Sequence, residues 1–348
     1  MTSSFRRLLR IPLLLALSPV ASATTWYVNG VSGRDSNNCM SATTACKTIG
    51  HAISLAHSGD LIRVAAATYK EHILIPFSLG IVGSGTSTTA IDGKGSTFVE
   101  RLVVIAMGAS VTLSQLAIRN SAGGGIYNAG TLIISNTTLN GNHIGLVCRT
   151  GGCKFTGGGI YNAGTLIISN TTLSGNSAGG ACSKGCESEG GGIYNSSKLT
   201  ISNSTLSGNS SLNCIVPIGC FPSGPGGGIF NDRGTVTLQN NIVANNTGEN
   251  CSGTMTSYGY NLSTDPSCNF NNTGDLLADP KLGTLGYYGG PTQTIPLLSG
   301  SPAIDAGNPS GCTDGLGHLL KTDQRAMPRP DKEDKTGCDM GAYERQSD

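Results

Sequence analysis

Along most of this chain aliphatic residues alternate with small polar ones, and the alternation returns in near-identical blocks. The stretch GGGIYNAGTLIISNTTL occupies residues 123–139 and recurs, letter for letter, at 157–173. It comes back as GGGIYNSSKLTISNSTL at 190–206 and more loosely as GGGIFNDRGTVTLQNNIV at 226–243. Within a unit, Leu199-Thr200-Ile201 sets apolar side chains two residues apart, which is the period of a strand and not of a helix. The glycine triplets begin at 123, 157, 190 and 226, and a spacing of 33–36 residues calls for a solenoid or a propeller.

Aligned units give vertical columns. Leu132, Leu166, Leu199 and Val236 form one, Ile134, Ile168, Ile201 and Leu238 a second, and Leu139, Leu173, Leu206 and Val243 a third beyond a turn. Asn136, Asn170, Asn203 and Asn240 mark that turn, and the segment 111–118 fits the same columns with Gln115 at the turn position. One unit cannot bury enough apolar surface to order itself, whereas stacked units cover both faces of every side chain. Like side chains stack on themselves without conflict, so the repetition is first a structural device. Upstream, CKTIGHAISLAHSGDLIRVAAATY (46–69) predicts a short amphipathic helix ended by Gly59, then a strand. Ile49, Ile53 and Ala56 share a face suited to covering an open solenoid end.

The first residues read as an export label: Arg6, Arg7 and Arg10, an apolar run at 11–17, and the small residues Ala21-Ser22-Ala23. Cleavage after Ala23 removes three arginines and takes the formal charge from +1 to −2, which offers no basic footprint for nucleic acid. No later run is long enough to predict a membrane helix. Charged residues make up 12% of the chain, about half the usual share, and glycine, 51 of 348, is about twice its usual share, as expected of a turn-rich β protein. Twelve cysteines behind an export signal point to disulfides. Neighbour spacing suggests Cys39–Cys46, Cys148–Cys153, Cys182–Cys186, Cys214–Cys220, Cys251–Cys268 and Cys312–Cys338, although spacing does not fix connectivity. A metal site is disfavoured, since no Cys-x-x-Cys pair exists and the five histidines are scattered.

The opening 46–69 and the coil phrase SLGIVGSGTSTTAIDGKG resemble the right-handed parallel β-helix proteins of the pectin lyase-like superfamily, which often begin with such a cap. AAATY at 65–69 departs from the Pro-Gly-Thr-Tyr usual there. The segment DPKLGTLGYYGGPTQTIPLLSGSPAIDAG, followed by TDQRAMPRP and CDMGAYE, resembles a choice-of-anchor Q domain over residues 279–344. That domain usually precedes a variable surface anchor. Here the sequence ends at Asp348 without a hydrophobic tail or sorting motif, so release or non-covalent surface association is expected. The resulting expectation is an all-β, right-handed, single-stranded parallel β-helix. Its parts are a leader (1–23), a solenoid with its capping helix (24–278, repeats from about 123 to 253) and a C-terminal cap (279–348).

The resemblance implies relatives that include lyases and hydrolases of acidic polysaccharides, but a fold is not an activity. Between residues 121 and 230 there is no aspartate, and Glu187 and Glu189 are the only acids, with Arg149, Lys154, Lys184 and Lys198 as bases and His143 as the lone histidine. No usual calcium cluster can be assembled there, and the paired-aspartate and Gly-His-Gly motifs of polygalacturonases are missing. Elsewhere Asp92, Lys94, Glu100, Arg101 and Arg119 could meet across early rungs, or serve as polar turn residues. Asp305, Asp314, Asp323, Arg325, Arg329 and Asp339 are read as ion pairs holding the C-terminal part. Calcium at these C-terminal carboxylates stays an option that neither calcium-loop signature supports, and otherwise no cofactor is expected.

Two columns invite alternatives. Tyr127, Tyr161, Tyr194 and Phe230 read as rings stacked on one another, with an outward ridge for sugar rings as the sharper option. Asn128, Asn162, Asn195 and Asn231 read as amide ladders at coil corners. Thr171 and Thr172 with their equivalents suggest a flat threonine face of the ice-binding kind, against which Lys198 and the bulky loops argue. The functional expectation is a secreted or surface-associated, monomeric, non-catalytic protein that contacts glycans or other extracellular macromolecules. The alternative is a polysaccharide lyase or glycoside hydrolase working from the early coils or the C-terminal part.

Overall fold

The computed structural model describes residues 23–347 except 85–88, 96–99, 146–151, 183–185, 216–218, 222–223 and 333–336; for 182, 213–215 and 219–221 it describes the backbone alone. The leader predicted over 1–23 therefore lies outside the described residues, apart from its last position.

Each regular coil adds one strand to each of three parallel sheets. In the coil that starts the exact repeat, Ile126–Asn128 joins a seven-stranded sheet (sheet 1), Thr131–Ser135 a nine-stranded sheet (sheet 2) and Thr138–Asn140 another nine-stranded sheet (sheet 3). The columns lie in register: Leu132 pairs with Leu166, Leu166 with Leu199 and Leu199 with Val236. Upstream, Leu132 pairs with Val111 and Leu139 with Ile118, so the earlier segment is a coil of the same kind. Leu132, Ile134 and Leu139 are wholly buried, as are their counterparts in the next coil. The architecture is an all-β parallel β-helix with like residues stacked over like.

The corner between sheets 2 and 3 is made by single left-handed residues. Asn136, Asn170, Asn203 and Asn240 have φ of 50°, 45°, 46° and 61°, and Gln115 takes φ 56° in the same role. Asparagine tolerates this region better than other side chains, because its short amide can bond locally. Between sheets 1 and 2, a buried ladder runs up the solenoid: Asn128 Nδ2 donates to Asn162 Oδ1 at 2.8 Å, Asn162 to Asn195 at 2.7 Å and Asn195 to Asn231 at 2.8 Å. A second ladder, Asn142 to Asn176 to Asn209 to Asn246, has steps of 2.9, 2.9 and 3.0 Å and turns the chain out of sheet 3. Its signature in the sequence is the Gly-Asn dipeptide at 141, 175 and 208. These ladders satisfy the backbone groups that a buried corner would otherwise strand.

The capping helix spans Ile49–Leu55, with Thr48 accepting from His51 N–H, and buries Ile49, Ala52 and Ile53 over the first coils. It stops short of Gly59, since Ala56 already has extended backbone. Disulfides join Cys39 to Cys46, Cys251 to Cys268 and Cys312 to Cys338. Cys153 and Cys186 are disulfide-bonded as well. Cys148 lies outside the described residues, and so do the side chains of Cys182, Cys214 and Cys220. The backbone sets Cys214 opposite Cys220 in a short antiparallel ladder.

After Leu276–Leu277 the described chain forms no further strand. Besides packing Leu297, Ala303 and Met340 against Ile242 and Leu262, it returns along the flank of the solenoid. Thr138 Oγ1 donates to Gln293 O at 2.6 Å, Thr172 Oγ1 contacts Gln324 Oε1 at 2.6 Å, and Ala342 N–H donates to Thr205 Oγ1 at 3.1 Å. The predicted cap is thus also a strap along sheet 3. It buries Thr138, Thr172 and Thr205 to within 1%, so this threonine column is closed to solvent and ice.

Candidate functional site

A group of titratable side chains outside the strap lies where early coils leave sheet 3 and enter sheet 1. Asp92 ends the strand Thr89–Asp92, and Arg119 ends Ala117–Arg119 one coil on, directly opposite it in register. Register alone therefore brings the guanidinium to the carboxylate, at 2.8 Å. Asp92 also accepts from Lys94 N–H at 2.9 Å and from Asn120 Nδ2 at 3.1 Å. Burial by itself would raise this carboxyl, but the bonds from Lys94, Asn120 and Arg119 outweigh it and hold Asp92 below the ordinary range.

Asp92, Lys94 and Glu100 line one cleft of about 240 Å³ together with Lys70, Glu71 and His72. Of the residues singled out in the sequence, these three are brought together, with Arg119 behind them. The run Lys70-Glu71-His72 went unnoticed there; its only signal is a short polar stretch between two strands. Glu71 accepts from Ile49 N–H at 2.9 Å and Gly50 N–H at 2.8 Å, so both its oxygens hold the start of the capping helix. Burial raises the Glu71 carboxyl, and these bonds offset that only in part. Glu100 stands 3.8 Å from His72 Nε2 with 72% of its side chain exposed. Lys70 and Lys94 are exposed, and neither has an ion-pair partner among the described residues.

Arg101 does not join this group. Its guanidinium turns inward, donates to the carbonyls of Thr156 and Gly157, and lies over the Tyr161 ring at 5.8 Å from the centroid. Burial pulls it down to about 10. It braces the sheet 1 column, whose rings stack at 5.4, 4.9 and 5.5 Å with planes within 23° of parallel. Stacking commits the ring faces to one another and leaves edges outward, so the column is a seam and not a platform for sugar rings. Tyr194 donates to Asp232 at 2.7 Å.

Lys154 pairs with Glu189 at 2.9 Å and Glu187 at 3.8 Å, because the strands Lys154–Thr156 and Glu187–Glu189 run parallel in one loop ladder. Arg149 and Lys184 lie outside the described residues, and His143 shares a 2.8 Å contact with Ser177 Oγ. The C-terminal charges are structural. Arg325 pairs with Asp323 at 2.7 Å, and Arg329 pairs with Glu344 at 2.7 Å with both side chains wholly buried. Asp339 accepts from the backbones of Asp305 and Arg345, and burial raises it to about 6. Asp314 binds His318 within its own loop. The sulfurs of Cys39 and Cys46 lie near His51, but the disulfide leaves no thiolate to act as a ligand.

No helix among the described residues is long and apolar enough to cross a membrane. No protein-family model matches the chain, and no curated protein matches it significantly. Among solved structures it is similar to a pectin methylesterase from Aspergillus niger in penultimately deglycosylated form, at 16% identity over 71% of this chain and 84% of that one, with a TM-score of 0.31. It is also similar to a pectin methylesterase in complex with a hexasaccharide, at 13% identity over 70% of this chain and 80% of that one, with a TM-score of 0.33. Any chemistry assigned to this chain therefore rests on its own residues.

Proposed function

We propose that this is an exported β-helix protein that binds acidic glycans at the corner cleft without turning them over. One observation carries the reading. The cleft acids Asp92 and Glu71 have their oxygens committed to Arg119, Asn120 and backbone N–H groups, while Lys70 and Lys94 have no acidic partner among the described residues. The groups that can meet a ligand are thus mainly cationic, and a uronate or sulfate on a sugar supplies the missing charge. Two-carboxylate hydrolysis needs an acid and a base that are both available, and among the described residues Glu100 is the one cleft acid uncommitted to a backbone or guanidinium partner. The likeness of 279–344 to choice-of-anchor Q domains supports a location at or near a cell surface.

The second reading, a lyase or hydrolase, is favoured by the exposed Glu100 beside His72, an arrangement able to move a proton. Incubation with a panel of uronic-acid polysaccharides, read by absorbance of unsaturated products and by reducing ends, separates the two. The expected result is binding on a glycan array without product. In the Lys70→Ala/Lys94→Ala protein affinity should fall roughly tenfold, about 1.4 kcal/mol. Product formation that disappears in Glu100→Gln would replace this reading with the enzymatic one.

A further inference from the structure

The strap does not close completely on the solenoid. Where residues 313–317 cross the outer face of sheet 2, a groove of about 360 Å³ remains, lined by Lys198, Thr200, Thr237, Gln239, Tyr258 and Asp314 among others. We propose that this groove is a second glycan site, for an oligosaccharide that carries a carboxylate or sulfate. It rests on the reading that the protein binds acidic glycans, but it uses a different set of residues on a different face.

Three features of the groove point to a sugar. Tyr258 is 61% exposed and, among the described residues, no other ring stacks on it. It follows the strand Thr256–Ser257 on the last coil of sheet 2, with its backbone held by Leu238 O at 2.8 Å. Unlike the rings of the sheet 1 column, it can offer a whole face to the C–H side of a sugar. The floor is polar: Thr200 and Thr237 stack with their hydroxyls 3.1 Å apart. The Gln239 amide has only a 3.5 Å contact to Tyr258 O, at the limit of a hydrogen bond, and so can donate to a ligand.

The charge favours an anion. Lys198 sits in register between Thr165 and Thr235 and has no ion pair among the described residues. The acid of the groove makes no ion pair with it among the described residues and is turned to its own loop. Asp314 accepts from Leu316 N–H at 2.9 Å and His318 N–H at 2.8 Å, and contacts His318 Nδ1 at 3.0 Å. The wall is also preorganised. Cys312 is disulfide-bonded to Cys338, Asn203 Nδ2 donates to Thr313 O at 2.6 Å, and Leu320 N–H to Cys312 O at 2.8 Å. Gly315 lies so close to the sheet that a Cβ there would stand 2.8 Å from Ile167 Cγ2 and 2.9 Å from Thr200 Cγ2. A wall fixed before binding loses little entropy when a ligand arrives.

Isothermal titration of the full chain with a galacturonate trisaccharide, and separately with maltotriose, tests the proposal. Two sites are expected for the uronate. Tyr258→Ala should remove one of them with Tm unchanged, as befits an exposed ring, and Tyr258→Phe should restore it. Lys198→Gln should weaken the uronate roughly tenfold at that site and leave maltotriose unaffected. If Tyr258→Ala and Lys198→Gln bind as the unmodified protein does, while Lys70→Ala/Lys94→Ala weakens all the uronate binding, the groove is overturned and the corner cleft stands. If the groove variants abolish all binding and the cleft variant none, the groove stands and the cleft falls. Failure of the unmodified protein to bind the uronate sinks both.

Discussion

Replacing Asn162 with alanine tests whether the repeated text encodes an interior. The side chain is wholly buried. Its Nδ2 donates to Asn195 Oδ1 at 2.7 Å and to the carbonyls of Gly164 and Lys198 at 3.0 Å each. Its Oδ1 accepts from Asn128 Nδ2 at 2.8 Å and Gly164 N–H at 3.3 Å. Two hydrogens can serve two acceptors at a time, so about four bonds are lost, each worth ~1 kcal/mol net. The expected loss is ~4 kcal/mol, or roughly 10 °C in Tm by the usual scaling for large domains. Thermal unfolding followed by circular dichroism, with disulfides intact, measures it, and Asn271→Ala at an exposed position serves as the control. Because Asn128 and Asn162 share a bond, the Asn128→Ala/Asn162→Ala protein should lose less than the two single variants combined. A drop no larger than the control's, or strict additivity, would refute the ladder as a stabilising element.

The strap gives a second expectation. Arg329→Met takes a guanidinium donor from Glu344 Oε2, Asn170 Oδ1 and Gly341 O, leaving Glu344 only the Asp339 N–H, and breaking such a buried pair costs ~3–5 kcal/mol; limited proteolysis should then cut within 279–348 before the coils. Stability should also fall as pH rises from about 4 to 6. Folded Asp339 keeps its proton to about 6 against an ordinary 3.8, so its contribution is complete below 3.8, is lost through 6 and is then constant. From pH 4.5 to 7 the Asp339 share of the loss is ~2 kcal/mol, and Glu344, raised by burial to about 8, extends the fall above pH 6; denaturant midpoints at pH 4.5 and 7 read it, and a slope unchanged in Asp339→Asn would count against the Asp339 share. Asp60 and Asp92, both held below the ordinary range, act oppositely and only at lower pH.

The solenoid was legible because each coil repeats the same residues at the same places. Leu132, Leu166 and Leu199 can be set over one another from the repeat alone, and the corner asparagines mark where each strand ends. Even Gln115 could be placed, since the columns on either side of it were unambiguous. The pairing of Lys154 with Glu189 was not legible, because it depends on two loops of different length meeting in register. Arg101 misled for a related reason: next to Glu100 in sequence, it points the other way, toward carbonyls of residues 156 and 157. Charge proximity along a chain says little about which face of a coil a side chain leaves from.

The strap was harder to foresee, and its absence from the sequence pattern has a physical cause. A segment without strands must place its N–H and C=O groups somewhere, and along sheet 3 it finds partners of a kind that reads as solvent-facing. Thr138, Thr172 and Thr205 alternate with buried leucines just as surface threonines do, yet they meet Gln293, Gln324 and Ala342 from more than a hundred residues away. A hydroxyl satisfies a strap as readily as it satisfies water, so period alone cannot tell the two apart. The arginines could have hinted at it: Arg325 and Arg329 in a charge-poor protein need acids, and burying them beside Asp323 and Glu344 requires a second surface. That surface is the solenoid itself, through Asn170. Where the strap steps from sheet 3 onto sheet 2 at Gly315, it leaves Tyr258 and Lys198 uncovered, so the same chain segment that hides one face also shapes the opening on the next.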